Sequence, residues 1–143
     1  MKIEISFKAA EGWTVENDVY TDESGVEISH IEADCDADGS FVEVHAGPMP
    51  EGETAEDQAF ANYAESVGFD DDSEDSPIVK FKFNGKNAWG FDALCEDDKP
   101  LRLICQEVKS GVLAVIILGA GDDAKLEELT SFVETKLRIN ILK

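Results

Sequence analysis

Residues 112–118 read Val112-Leu113-Ala114-Val115-Ile116-Ile117-Leu118, the longest uninterrupted apolar run in the chain. Its length is typical of a β-strand and far below the roughly 20 residues that a membrane-spanning helix needs. A strand with one solvated face alternates apolar and polar side chains, whereas this run does not alternate. The run therefore predicts a strand at the centre of a sheet, buried on both faces.

Strand, turn and helix signals surround this central segment. Asn84-Gly85 is the strongest hairpin signal, because a type I′ turn needs positive φ at both central positions. Apolar residues recur at helical spacing after Thr54, which can cap a helix that Gly68 ends, and again after Asp122 or Asp123. The predicted strands cover Lys2–Lys8, Trp13–Tyr20, Val26–Ala33, Phe41–Ala46, Ile78–Phe83, Lys86–Cys95, Leu101–Val108 and Val112–Leu118.

These elements predict one α+β domain spanning residues 1–143. Its core is a mainly antiparallel sheet of about seven strands, sandwiched by two helices. Because the central strand is covered on both faces, the helices are expected on opposite faces of the sheet. In this scheme the apolar stripe of the last helix extends to Leu137, Val79 points inward, and Trp13 is exposed as a contact residue.

The net charge of −20 is confined to the first part of the chain. Residues 1–79 hold 22 acidic and 2 basic side chains, whereas residues 80–143 hold 10 of each. An acidic surface repels the phosphates of nucleic acids and anionic lipids, which argues against nucleic-acid and membrane partners. It favours a basic protein or a cation as the partner, or it serves solubility alone.

Two features favour an intracellular protein. The opening residues, Met1-Lys2-Ile3-Glu4, carry no apolar segment resembling a signal peptide. The cysteines Cys35, Cys95 and Cys105 form no C-x-x-C pair, and their odd number is typical of reduced thiols. The sequence therefore predicts a cytoplasmic location, with Cys95 and Cys105 as buried apolar side chains on strands.

Motifs of catalysis and of nucleotide binding are absent from the sequence. Histidine, the usual base for a nucleophile, occurs only as His30 and His45, and no serine lies in a G-x-S-x-G elbow. No G-x-G-x-x-G follows a strand, and Gly119-Ala120-Gly121 is followed by aspartates that repel phosphate. The sequence therefore predicts a non-catalytic protein without a cofactor.

The segment from Val26 to Ala46 contains the first candidate metal site. If residues 36–39 form the loop of a hairpin, the apolar side chains of both strands share the core face. The same register gathers four metal-ligating side chains on the other face: His30, Glu32, Glu43 and His45. Facing glutamates repel unless a cation lies between them, and imidazoles with carboxylates suit zinc or another divalent metal. The alternative is a solvated strand face on which the glutamates splay apart.

The loop of this hairpin is the second candidate metal site. Its carboxylates alternate before Gly39, as they do at the opening of a calcium loop, and belong to Asp34, Asp36 and Asp38. The match then stops, because the twelfth position is His45 instead of a bidentate glutamate. Strands are also expected on both sides of this loop, where an EF-hand has helices.

The element order and two sequence stretches resemble a known family. The stretches are Asn84-Gly85-Lys86-Asn87-Ala88-Trp89-Gly90-Phe91 and Val112-Leu113-Ala114-Val115-Ile116-Ile117, after a strand-rich start with Gly12-Trp13 and a mid-chain helix. Together they resemble the PsbP-like α/β/α sandwich family. That family includes extrinsic photosystem subunits, a nuclear-import factor that binds the Ran GTPase, and small bacterial proteins, some of them secretion-effector chaperones. The resemblance implies a binding or accessory role and carries over no site residue.

Two functions are expected on these grounds. The first is a non-catalytic binding or accessory domain that engages a basic protein partner through its acidic N-terminal half. The alternative is a divalent-metal-binding protein that uses the hairpin of residues 26–46.

Overall fold

The structure is a computed structural model that describes residues 2–8, 11–21, 25, 27–35, 39–49, 51–67, 78–94, 99–109 and 111–142. In these residues four strands precede the first helix, four more separate the two helices, and one strand follows the second helix. In chain order the elements are β1 (Lys2–Phe7), β2 (Trp13–Thr21), β3 (Glu27–Cys35), β4 (Phe41–Pro48), α1 (Ala55–Val67), β5 (Val79–Phe83), β6 (Lys86–Leu94), β7 (Pro100–Lys109), β8 (Val112–Gly119), α2 (Asp123–Lys136) and β9 (Leu137–Leu142).

A seven-stranded antiparallel sheet forms the body of the protein, in the order β2-β3-β4-β8-β7-β6-β5. The apolar run of β8 is the middle strand of this sheet. Its buried side chains lie on both faces, with Leu113 on one face and Ile116 and Leu118 on the other. The prediction of a doubly covered central strand is confirmed.

The two helices pack on opposite faces of the sheet, as expected for an α+β sandwich. On one face, α1 lies on β6 and β7 and presents the small side chains Ala55 and Ala59 to a cluster that includes Cys105. On the other face, α2 contacts β7 and β8, and its Leu126 and Val133 join the larger core cluster. Neither helix in the described part of the chain has the length and apolar character needed to cross a membrane.

The local signals that predicted turns and caps are reproduced in the backbone. Asn84 and Gly85 have φ values of 56° and 81°, which are the positive angles of a type I′ turn. Thr54 Oγ1 accepts a hydrogen bond from the Asp57 backbone amide, and the Asp57 carboxylate accepts one from the Thr54 amide. Asp122 caps α2 by accepting from the backbone amide of Lys125.

The end of the chain differs from the sequence prediction. Leu137 does not extend the last helix; α2 ends at Lys136, and Leu137 is extended, with φ −84° and ψ 133°. From there Leu137, Ile139 and Ile141 alternate with polar residues, which is a strand pattern. This strand, β9, pairs with β1 as a separate two-stranded ribbon, with Leu137 opposite Phe7.

The exposure of two side chains, Trp13 and Val79, also differs from the sequence prediction. Trp13 is half-buried and packs against Phe7 and Phe132, with ring centroids 6.1 and 6.0 Å apart. The ribbon explains this difference, since it brings Phe7 of β1 beside the start of β2. Val79 is 60% exposed, because β5 is the last strand of the sheet.

An ion-pair network attaches α2 to the sheet through Arg102 of β7. The guanidinium donates to both carboxylate oxygens of Asp92 on β6, at 2.7 and 3.1 Å, and to Glu127 and Thr130 of α2, at 2.7 and 3.1 Å. The hydrogen bonds to Asp92 raise the pKa of Arg102, and Arg102 lowers the pKa of Glu127. The network thus links α2 to β7 directly and to β6 through Asp92.

Gly90 of β6 provides a test of how closely β6 and β7 approach. A Cβ at this position would collide with the backbone carbonyl of Leu103, which cannot yield as a flexible side chain can. We therefore expect Gly90→Ala to lower the free energy of unfolding by about 1–3 kcal/mol. Gly121→Ala is the control, because the nearest atom to its Cβ is Cδ of Lys125 at 4.0 Å, and we expect a change within about 0.5 kcal/mol. Urea unfolding measures both, and equal stabilities would contradict the close approach.

Cys105 provides a test of the α1 face of the core. Its side chain is fully buried, and burial raises the pKa of the thiol to about 12. Because the thiolate is the reactive form, we expect Cys105 to resist iodoacetamide in the native protein and to react in urea. The half-buried Cys35 is the internal comparison, whereas Cys95 lies outside the described residues. Mass spectrometry of digested samples measures each site, and native labelling of Cys105 as fast as Cys35 would contradict this burial.

Candidate metal centre

The hairpin formed by β3 and β4 has the register that the hydrophobic pattern predicts. His30 lies directly opposite His45, and Glu32 lies opposite Glu43. The side chains between them point into the larger core and are at most 1% exposed: Ile31, Ala33, Val42 and Val44. Since successive side chains of a strand point to opposite faces, the burial of this apolar set places the histidines and glutamates together on the other face.

Three of these side chains converge. Glu43 Oε1 lies 2.7 Å from Nε2 of His45 and 3.4 Å from Nε2 of His30. The two imidazoles are stacked, with ring centroids 4.5 Å apart and an interplanar angle of 26°. Within the described part of the chain, one donor atom from each of His30, Glu43 and His45 can be chosen so that all lie within 4.8 Å of one another.

The ring nitrogen of His30 that faces Glu43 lacks a hydrogen bond. His30 Nε2 is buried, and its 3.4 Å separation from the carboxylate is a contact without hydrogen-bond geometry. A buried polar atom left without a partner costs about 1–3 kcal/mol, so such atoms are uncommon unless something else binds them. A neutral imidazole nitrogen can present a lone pair there, which is the electron pair that binds a metal ion.

Tyr20 of β2 adds a contact that the sequence did not predict. Its hydroxyl lies 2.9 Å from Nδ1 of His45, the ring nitrogen on the far side from Glu43. Its ring meets both imidazoles edge-on, with centroids 6.1 Å from His30 and 5.9 Å from His45. The alternation of β2 places Tyr20 on the polar face, but only the order of the strands reveals that it reaches across β3 to β4.

The remaining predicted ligands lie apart from this group. Glu32 is exposed and is not among the converging residues, although the register places it between Glu16 of β2 and Glu43 of β4. Asp34 is exposed on β3, opposite Phe41, whereas Asp36 and Asp38 lie outside the described residues. The described residues thus assemble the histidine–glutamate group, and only Asp34 of the calcium loop can be placed.

The group of His30, Glu43 and His45 lies on the part of the sheet that is formed by the acidic half of the chain. Strands β2, β3 and β4 are adjacent at one end of the sheet, while α1 covers β6 and β7 on the same face. Asp18, Glu32 and Asp34 are exposed around the histidines, which themselves are half-buried. The electrostatic potential of such a surface attracts cations.

Two imidazole nitrogens and one carboxylate oxygen form a recognised metal-binding set. It is the ligand set of His₂Glu zinc sites and of the two-histidine, one-carboxylate iron sites, and it leaves at least one coordination position open. Ligands about 2.0–2.1 Å from a tetrahedral ion lie roughly 3.3 Å apart, close to the 3.4 Å between His30 and Glu43. The 2.7 Å hydrogen bond between His45 and Glu43 would open by roughly half an ångström to admit an ion.

Comparisons with known proteins identify no relative of this chain. No family model, no curated protein and no solved structure matches it. The resemblance to the PsbP-like family therefore stays a prediction, and the candidate site is interpreted from its own geometry.

Proposed function

We propose that this protein binds a divalent transition-metal ion through His30, Glu43 and His45. The proposal is supported above all by the convergence of two imidazole nitrogens on one carboxylate oxygen, with the buried His30 nitrogen left without a hydrogen bond. A bound ion would give that nitrogen a partner and would neutralise Glu43. Nitrogen ligands favour zinc, cobalt, nickel or copper over magnesium and calcium.

A titration with zinc and with cobalt, on protein without a histidine tag, tests this proposal. We expect one ion per chain by isothermal calorimetry. Glu43→Gln should weaken zinc binding at least about tenfold, because it removes a charged ligand. Glu32→Gln is a matched control, since it makes the same change of charge on the same face, directly opposite Glu43.

Three results would decide against this site. They are no zinc uptake at micromolar concentrations, equal losses of affinity in the Glu43→Gln and Glu32→Gln variants, and undiminished binding by a His30→Gln/His45→Gln double variant. A parallel titration with calcium separates the two hairpin sites. Calcium uptake that survives Glu43→Gln and is lost in Asp34→Asn would favour the loop carboxylates instead.

A basic protein partner is a second candidate function, supported by the carboxylates around the histidines. The register places Glu16, Glu32 and Glu43 side by side on β2, β3 and β4. Like charges in directly opposite positions are unfavourable, and a cationic partner relieves their repulsion. Lysine and arginine side chains of an approaching protein supply such charges, and the adjoining Asp18 and Asp34 extend the acidic surface.

Binding of an oligolysine peptide tests this second candidate. We expect the Glu16→Gln/Glu32→Gln variant to bind it several-fold more weakly, because each exposed ion pair contributes about 0.2–1 kcal/mol. The control is Glu107→Gln/Glu128→Gln, which removes the same charge from exposed positions on β7 and α2. Fluorescence anisotropy at low and high salt measures both variants. Equal effects of the two variants would show that net charge alone, and no particular surface, binds the peptide.

A further inference from the structure

The hydroxyl of Tyr20 contacts the ring nitrogen of His45 that faces away from Glu43. The two residues are 25 positions apart in sequence, and Tyr20 reaches His45 from the edge strand β2, across β3. The role inferred for this contact concerns the state with an ion bound, and it therefore rests on the proposed metal site.

The partners of His45 assign its tautomer before an ion binds. A carboxylate only accepts hydrogen bonds, so the 2.7 Å contact with Glu43 requires the proton to lie on Nε2 of a neutral His45. Nδ1 then has the lone pair and accepts the hydrogen bond from the Tyr20 hydroxyl at 2.9 Å. Both ring nitrogens are satisfied in this state.

Metal binding through Nε2 requires the opposite tautomer. With an ion bound in place of the Nε2 proton, a neutral His45 would carry its proton on Nδ1. The Nε2 proton would pass to water and another would be taken up at Nδ1, so the number of protons on His45 would not change. Nδ1 would then donate, and the Tyr20 oxygen would accept once its own hydrogen had turned away. A hydroxyl can do both, since it is a donor and an acceptor.

We propose that Tyr20 is the positioning residue of the metal site and that its hydroxyl stabilises His45 in each tautomer in turn. Histidine ligands of metals almost always donate their other N–H to an acceptor, which fixes the ring and strengthens the ligand. Tyr20 supplies that acceptor, and its ring also lies edge-on to the imidazole of His30. Loss of its oxygen leaves the Nδ1 proton without its protein partner.

The Tyr20→Phe variant tests this role, because it removes one oxygen and keeps the ring. We expect zinc affinity to fall about 10–100-fold, the effect typical of removing such a hydrogen-bond partner. Val19→Ala is the control on the same edge strand: Val19 is exposed, its side chain points to the opposite face, and zinc affinity should be unchanged. Circular dichroism and urea unfolding establish that both variants fold.

Long-range ¹H–¹⁵N spectra of the imidazoles give a readout that a general loss of structure would not produce. In the unmodified protein, His45 should change from the Nε2–H to the Nδ1–H form when zinc is added. If zinc binds and Tyr20→Phe retains full affinity, the role of Tyr20 is overturned while the metal site stands. If His45 keeps its Nε2 proton in the zinc form, His45 does not bind through Nε2, and both the three-residue metal site and the role of Tyr20 are overturned. If the unmodified protein takes up no zinc, the metal site itself is overturned, and the role of Tyr20 with it.

Discussion

The register between β3 and β4 is the constraint on which both the core and the candidate metal site depend. Four apolar side chains of this hairpin are at most 1% exposed, and the histidines and Glu43 occupy alternate positions on the same two strands. A slip of one residue would exchange the faces, expose the apolar set and bury unpaired polar groups at a cost of several kcal/mol. Burial of Ile31 and Val44 therefore fixes the approach of His30 to His45, although neither apolar residue is a metal ligand.

The features that the sequence predicts well are those set by neighbours along the chain. The alternation of residues 30–34 and 41–45 places His30 opposite His45 once residues 36–39 are taken as the loop, because a slip of one residue would turn the apolar side chains away from the core. The central position of β8 is predicted in the same way from a run without polar residues. Asn84-Gly85 fixes its turn through backbone sterics alone.

Contacts between distant segments were not predictable in the same way. Leu137 fits the apolar stripe of α2 as well as it fits a strand. It is a strand residue because β9 pairs with β1, which lies near the other end of the sequence. Tyr20 reaches His45 because β2, β3 and β4 are neighbours in that order, which no local pattern specifies. Glu32 shows that a correct register does not by itself predict a ligand. It lies opposite Glu43, as predicted, but its side chain is apart from the group of His30, Glu43 and His45.

The pairing of β1 with β9 has a consequence for how the chain folds. Lys2 lies opposite Leu142, so this ribbon closes a loop that contains nearly the whole chain. Contacts between such distant residues raise the contact order and are typically formed slowly. During synthesis the buried side chains Ile3, Ile5 and Phe7 cannot reach their β9 partners until residues 137–141 have left the ribosome. The apolar side chains of β1 therefore lack their β9 partners while all the intervening strands are synthesised, and apolar surface exposed in this way promotes aggregation.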